Sequence, residues 1–247
     1  MIKITDKAVA VLKGISVINS GVILRNDYLH TKFENTIEDS KDSKGVSGIV
    51  VNYDFPKDEE ILVVDDELGI GNINEFLNLI NTFDKESLVY EPKGTTISIK
   101  DNRKQNLYYT TTIDALPQRS FGGEEIFNAG ESVIKFVLTD TDIEKIKQDL
   151  KIINTDNLYL KSSDGVLNII GENSLTSNDT KIPVDTKMVA KAEGEFKFPT
   201  NQIFNVLIPG NYKFDIRKCD YDGDTLIIAK LENANIPGLS YIVMSDK

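Results

Sequence analysis

The chain has one cysteine, Cys219, and one histidine, His30, among 247 residues. A single thiol excludes a disulfide framework and a thiolate metal cluster, and it fits a reducing cytoplasm. A single imidazole removes most zinc chemistry and most histidine-based triads. No apolar run approaches the length of a membrane span. The opening residues, MIKITDKAVAVLKG, carry charge where a signal peptide needs an unbroken apolar core. Basic residues are in deficit, with 28 Lys and Arg against 39 Asp and Glu, a formal charge of −11. Over the whole molecule that balance opposes tight nucleic-acid binding, because phosphate contact needs local positive charge. The deficit is uneven. Acids crowd residues 34–42, 58–60 and 65–67, whereas two repeated segments are richer in Lys, so an acidic body with one cationic surface fits the composition.

Signatures of catalysis and of cofactor binding are equally scarce. Asp65, Asp66 and Glu67 form a carboxylate cluster without a partner motif, which reads as a solvated strand end or loop. Asp220, Asp222 and Asp224 surround Gly223, but the glycine offset and the distal Glu of a calcium loop are missing, so a hairpin turn is expected. Gly69-Ile70-Gly71 lacks the third glycine of a dinucleotide fingerprint. Cys219 and His30 share no local signature of a nucleophile and its base. The expectation is a protein that is not an enzyme and holds no metal or cofactor.

What the chain does have is repetition. Residues 5–19 read TDKAVAVLKGISVIN and residues 140–154 read DTDIEKIKQDLKIIN. Aligned on their closing Asn, Ala8 falls on Ile143, Val11 on Ile146, Ile15 on Leu150 and Ile18 on Ile153. Each segment runs into an apolar stretch ending in a cation, at Arg25 and at Lys161, and then into a second stretch closing on Glu-Asn, at 34–35 and 172–173. Two domains of about 110–120 residues are expected: 1–111, a connector at 112–130, and 131–247. The connector, TIDALPQRSFGGEEIFNAG, holds Pro and three Gly and shows no helical period.

The 3.6-residue period predicts helices at 6–18, 72–83, 141–154 and a short one near 200–207. Runs rich in Ile, Thr, Val and Tyr predict strands at 22–24, 28–33, 49–55, 61–64, 87–90, 95–100 and 106–111. In the second half, strands are expected at 132–138, 157–161, 166–170, 187–193, 212–217, 225–231 and 241–244. Residues 34–48 read as a loop. The fold class is therefore α+β, with two helices and several short antiparallel strands in each half.

The helix faces carry the functional signal. At 100° per residue, Lys145, Gln148 and Lys151 fall opposite the apolar stripe of 141–154. Lys13 lies opposite the stripe of the first helix, with Lys7 toward its side. Asn74, Asn78 and Asn81 line the outer face of 72–83, where an amide can donate to phosphate. For Lys on any single helix an ordinary solvated face is the simpler reading. Its recurrence on both copies, with acid kept sparse on the first, raises the alternative of an anion-facing surface, though the pattern is unspecific on its own.

The stretch LKGISVINSGVILR (12–25), with PGNYKF (209–214), resembles the replication sliding clamp of T-even-type bacteriophages. The twofold echo and the helix-then-strands order are similar to the wider clamp superfamily of eukaryotes and archaea. In order of elements the resemblance covers the whole chain; in wording it covers only those two segments.

The resemblance implies two similar sliding-clamp domains per chain, with three chains closing head to tail into a ring around duplex DNA. It implies Lys7, Lys13, Arg25, Lys145 and Lys151 as DNA-facing cations, with Asn74, Asn78 and Gln148 as polar support. For partner peptides it implies an apolar wall of Leu116, Pro117, Tyr241, Val243 and Met244, although core packing is the simpler role for the last three. It further implies a DNA polymerase tethered to its template, an ATP-driven clamp loader, late-transcription factors as further partners, and residence in the cytoplasm of an infected bacterial host. Two alternatives stand beside it: a cellular two-domain clamp, and an acidic, β-rich scaffolding protein that does not touch DNA.

Overall fold

The computed structural model describes residues 6–25, 28–33, 48–54, 68–84, 88–116, 123–163, 166–184, 189–190, 194–198 and 203–245, with backbone only at 25, 28–33, 48, 92–93, 123 and 189–190. The chain divides into two compact units, Met1–Phe33 with Val51–Arg119, and Glu34–Val50 with Ser120–Lys247.

The first unit holds α1 (Asp6–Ile15), β1 (Val22–Arg25), β2 (Tyr28–Phe33), the last four residues of β3 (Gly48–Asp54), β4 (Leu68–Ile70), α2 (Ile73–Ile80), β5 (Val89–Lys93), β6 (Thr96–Lys100) and β7 (Gln105–Tyr109). β1 pairs antiparallel with β2 and with β4. β5, β6 and β7 form an antiparallel sheet with β6 in the middle. α1 buries Ala8, Val11, Leu12 and Ile15 and packs on α2, which buries Ile73, Phe76, Leu77 and Ile80. The ring of Phe76 meets Tyr108 of β7 edge-on at 5.1 Å, an arrangement that aromatic quadrupoles favour.

α1 stops three residues short of the end that periodicity predicts. The amides of Ile18 and Asn19 both return to the carbonyl of Ile15, at 2.9 and 3.3 Å, and this tight turn closes the helix while keeping Ile18 buried.

The second unit holds α3 (Gly123–Ala129), β8 (Glu131–Leu138), α4 (Asp140–Ile152), β9 (Asn157–Ser163), β10 (Val166–Asn173), β11 (Asn178–Pro183), β12 (Val189–Ala190), β13 (Gly194–Lys197), α5 (Ile203–Val206), β14 (Tyr212–Tyr221), β15 (Asp224–Asn233) and β16 (Leu239–Met244). One antiparallel run of strands is β12-β8-β14-β15-β16, and a separate sheet is β11-β10-β9-β13. Phe136 and Phe214 stack at 4.5 Å across β8 and β14. α4 buries Ile143, Ile146 and Leu150 and packs on α5.

The turn expected at Asp222-Gly223 is present. Tyr221 faces Asp224 in the ladder, and the two residues between take φ of 50° and 83°. Two positive φ values in a two-residue loop match the right-handed twist of the flanking strands, and glycine takes such a φ at little cost.

The connector differs from its expected irregular character. A 3₁₀ turn occupies Ile113–Ala115, and α3 forms within 112–130 although no helical period marks it. Its stabilisation is tertiary: Phe127 enters a buried cluster with Cys219, Ile228, Ile242 and Met244. Three further strands, β4, β11 and β13, have no counterpart among the predicted elements. β11 reads NDTKIP and alternates between exposed and half-buried, so it lacks an apolar signal and is held by backbone pairing to β10. The predicted strand at 61–64 lies outside the described residues.

Candidate nucleic-acid interface

The two repeated helices present their cations as the projections require. Lys13 of α1 is exposed and Lys7 half-buried, while Ala8, Val11 and Ile15 point inward. On α4, Lys145, Gln148 and Lys151 are exposed above the buried Ile143, Ile146 and Leu150. On α2, Asn74 and Asn78 are exposed beside Glu75. Arg25 ends β1, opposite Tyr28, and its side chain lies outside the described residues.

Both helix starts are fixed locally. The side chain of Asn72 caps α2 by accepting the amide of Glu75 at 3.1 Å, and the Tyr108 hydroxyl donates to the Asn72 carbonyl at 3.4 Å. α4 opens with a capping box: the Thr139 hydroxyl oxygen accepts the Asp142 amide at 3.2 Å, and the Asp142 carboxylate accepts the Thr139 amide at 3.0 Å. A hydrogen bond from the Thr139 hydroxyl is the main cause that holds the Asp142 carboxyl below its ordinary pKa, and the charge of Lys145 adds to it.

The PGNYKF segment locks the same helix start to the rest of its unit. The Asp140 amide donates to the Asn211 side chain at 2.9 Å, and the Gly210 amide donates to the Asp140 carboxylate at 2.8 Å. The Tyr212 hydroxyl donates to the Ile208 carbonyl at 2.7 Å.

Charges of both signs run along α4, with Glu144 and Asp149 among Lys145, Lys147 and Lys151. Asp140 and Asp142 sit in the first turn, where the helix dipole favours anions and where both are engaged in capping; Lys151 lies in the last turn. A third lysine of this helix, Lys147, is half-buried and pairs with Glu144 at 2.7 Å. The sequence projection passes over it because it falls on the flank of the helix rather than opposite the core stripe. Its signal is the i, i+4 spacing to Lys151.

The partner-peptide residues fall into two groups. Leu116 is buried in the first unit, directly after the 3₁₀ turn, and Pro117 lies outside the described residues. Tyr241, Val243 and Met244 are buried in the second unit. The Tyr241 hydroxyl accepts the Ile208 amide at 3.2 Å and donates to the Val206 carbonyl at 3.3 Å, and its ring meets Tyr212 at 5.9 Å. Met244 belongs to the cluster that Phe127 of α3 covers.

Groups of the kind that catalysis needs are placed otherwise. Cys219 is buried in that same cluster, and burial raises its thiol pKa, the reverse of what a nucleophile requires. Among the described residues, no group of three or more His, Cys, Asp or Glu is placed to hold a metal ion, and no helix is long and apolar enough to cross a membrane. The arrangement offers solvent-facing ammonium and amide donors on ordered helices.

No family model matches the sequence, and no curated protein matches it. Solved structures match the fold along nearly the whole chain. The Helicobacter pylori beta clamp in complex with 5-chloroisatin superposes with a TM-score of 0.61 at 13% identity, over 96% of this chain and 60% of that one. The same organism's beta clamp in complex with 3,4-difluorobenzamide gives 0.64 at 12% identity, over 97% and 62%. The proliferating cellular nuclear antigen of Entamoeba histolytica gives 0.62 at 12% identity, over 97% of this chain and 94% of that one. The chain thus spans about three fifths of the length of the bacterial clamps and nearly all of the Entamoeba protein. At 12–13% identity these likenesses speak for architecture alone. The fold of this chain is that of the sliding clamps.

Proposed function

We propose that the protein is a replication processivity clamp of the T-even phage type, a homotrimeric ring that encircles duplex DNA and tethers a DNA polymerase. The observation that carries this reading is the sliding-clamp fold combined with Lys on the outer face of both copies of the repeated helix. Such a ring is not an enzyme. Its grip has to be non-specific so that it slides, which suits a few phosphate-directed cations on an acidic body.

Free strand edges support the ring. Among the described strands, β7 pairs only with β6 and β11 only with β10. β7 exposes Leu107 and Tyr109. An apolar edge strand of this kind invites aggregation unless it is paired, and a head-to-tail contact of β7 on one copy with β11 on the next would pair both edges. In this proposal Lys7, Lys13, Arg25, Asn74, Asn78, Lys145, Gln148 and Lys151 face the DNA. Leu116, Pro117, Tyr241, Val243 and Met244 are the candidates for receiving partner peptides, although Tyr241 and Val243 alternate with Met244 along β16 and so lie on its other face. A clamp loader opens the ring, late-transcription factors share it, and it acts in the cytoplasm of an infected bacterial host. A second reading, a cellular two-domain clamp, draws on the nearly full-length match to the Entamoeba protein; it predicts the same ring and differs in which polymerase is stimulated.

Retention on DNA tests the proposal. After loading, the ring is expected to stay on nicked circular duplex and to run off linear duplex of equal length, with a mass by light scattering near three chains. Retention indifferent to DNA topology, or a stable monomer at working concentration, refutes it.

A further inference from the structure

A cleft of about 440 Å³ lies between α4 and α5. Lys147, Gln148 and Lys151 of α4 line one side and Asn205 of α5 the other, over a floor of Leu150 and Phe204. No carboxylate is among its described lining residues. In a chain with 39 acids, a cleft bordered by two ammonium groups and three side-chain amides, those of Gln148, Asn154 and Asn205, concentrates donors for an anion. We propose that this cleft seats one phosphate of the DNA backbone between Lys147 and Lys151, and that only the second copy of the repeat carries such a seat. The inference rests on the clamp reading and moves the main grip of α4 from its outer ridge, where Lys145 stands, to its flank.

Three features support the seat. The Lys147 side chain is only 20% exposed, and its ammonium is held by Glu144 at 2.7 Å. Glu144 is itself 53% exposed, and an ion pair between partly solvated groups three residues apart is worth little. A phosphate oxygen can therefore take over the ammonium at small cost.

Second, the cleft lies at the C-terminal end of α4, which ordinarily repels anions. Here several carbonyls at and just past that end are occupied. That of Leu150 accepts the amide and the hydroxyl of Thr155 at 3.2 and 3.0 Å, and those of Ile153 and Asn154 accept the Asn173 side-chain amide at 3.1 and 2.8 Å. Donors thus already occupy part of the negative end of the helix before any ligand arrives.

Third, the first copy has no equivalent. By the repeat alignment, Leu12 stands where Lys147 does and is buried, while Ser16 stands where Lys151 does and turns its hydroxyl onto the Lys13 carbonyl at 2.8 Å. A ring of three chains would then hold three strong seats, alternating with three weaker helix faces.

The test is a titration of the ¹⁵N-labelled full chain at low salt with a short duplex, and separately with inorganic phosphate. The duplex is expected to shift the amides of residues 147–155 and of Asn205. Joint replacement Lys147→Gln and Lys151→Gln is expected to reduce the salt slope of binding by about two, one per lost phosphate-directed cation. Lys145→Gln should lower affinity less than Lys147→Gln, and Glu144→Gln should raise it by freeing the Lys147 ammonium. All of these are solvent-side changes on one helix, and thermal melts verify that each variant folds.

If the double variant keeps the wild-type slope while Lys145→Gln lowers it, the seat is refuted and the clamp reading stands. If inorganic phosphate saturates the same amides at lower phosphate concentration than the duplex, the cleft is a small-anion site and the inference also fails. A duplex that moves no residue of either repeated helix sinks the seat and the DNA reading together.

Discussion

Replacing Phe127 by Ala should open the connector helix without unfolding the unit beneath it. Phe127 is 2% exposed, packs with Cys219, Ile228, Ile242 and Met244, and lies under the Arg217 guanidinium at 4.4 Å from its ring centre. Truncating a buried Phe costs about 3–5 kcal/mol, and a partly exposed cation–π contact adds roughly 0.5–1 kcal/mol. α3 has only seven residues, too few to persist as a helix without its packing. What else holds it is Ile126, which packs half-buried against the same cluster, and polar contacts: Arg217 donates to the carbonyls of Phe127 and Asn128 at 3.3 and 3.4 Å, and Lys230 pairs with Glu124 at 3.1 Å.

The loss falls on the closed state, so it lowers the free energy of opening α3 by the same amount as it lowers global stability. At about 1.4 kcal/mol per tenfold, a loss of about 3 kcal/mol raises the open population roughly a hundredfold. The chain carries its own reporter. Cys219 is the only thiol, and it is covered at the end of α3, where a methyl group added to Gly130 would stand 2.3 Å from Sγ. Labelling with an aromatic disulfide under native conditions should accelerate by about two orders of magnitude in Phe127→Ala, with a urea dependence well below that of the global transition followed by far-ultraviolet dichroism. If labelling in both proteins shows the full urea dependence of global unfolding, α3 is an integral part of the core and the reasoning is wrong. Unchanged labelling refutes it equally.

Two further outcomes follow from groups around the same unit. Burial pushes the Asp215 carboxyl up, but hydrogen bonds from Arg217, Ser132 and Lys135 outweigh it and hold its pKa below the ordinary value. A depressed folded value means a stabilisation present above the unfolded carboxylate value, near pH 4, and lost as pH falls through the folded one; urea midpoints of the wild type should drop more steeply below pH 4 than those of Asp215→Asn, and parallel curves would refute the contribution. Thr139→Ala removes the capping box of α4 and should cost about 1 kcal/mol in urea unfolding, with Thr139→Ser recovering most of it; a variant as stable as the wild type would show that the Asn211 and Gly210 contacts alone fix the helix start.

The sequence shows the buried stripes of the repeated helices because periodicity is a property of one element. Ala8, Val11, Ile15, Ile18, Ile143, Ile146 and Leu150 are all buried, and only Ile153, just past the end of α4, is half-exposed. It does not show α3, whose helix depends on Arg217, about ninety residues away, and on a cluster built from β14, β15 and β16. Nor does it show β11, where backbone pairing replaces apolar patterning. Lys147 fails for a related reason: projection separates inward from outward, but which outward cation shares a cleft depends on where α5 lies.

The segments that carry the resemblance divide differently again. In LKGISVINSGVILR, Leu12, Ile15, Ile18, Val22 and Ile23 are core. In PGNYKF, Gly210 and Asn211 tie down the start of α4 while Tyr212 and Phe214 fill the interior. These residues are constrained by packing and capping, so their likeness to the clamps speaks for architecture and is silent on ligand. The DNA reading has to stand instead on Lys13, Lys145, Lys147 and Lys151, which packing leaves free to vary. An experiment on those four side chains therefore tests function independently of the fold.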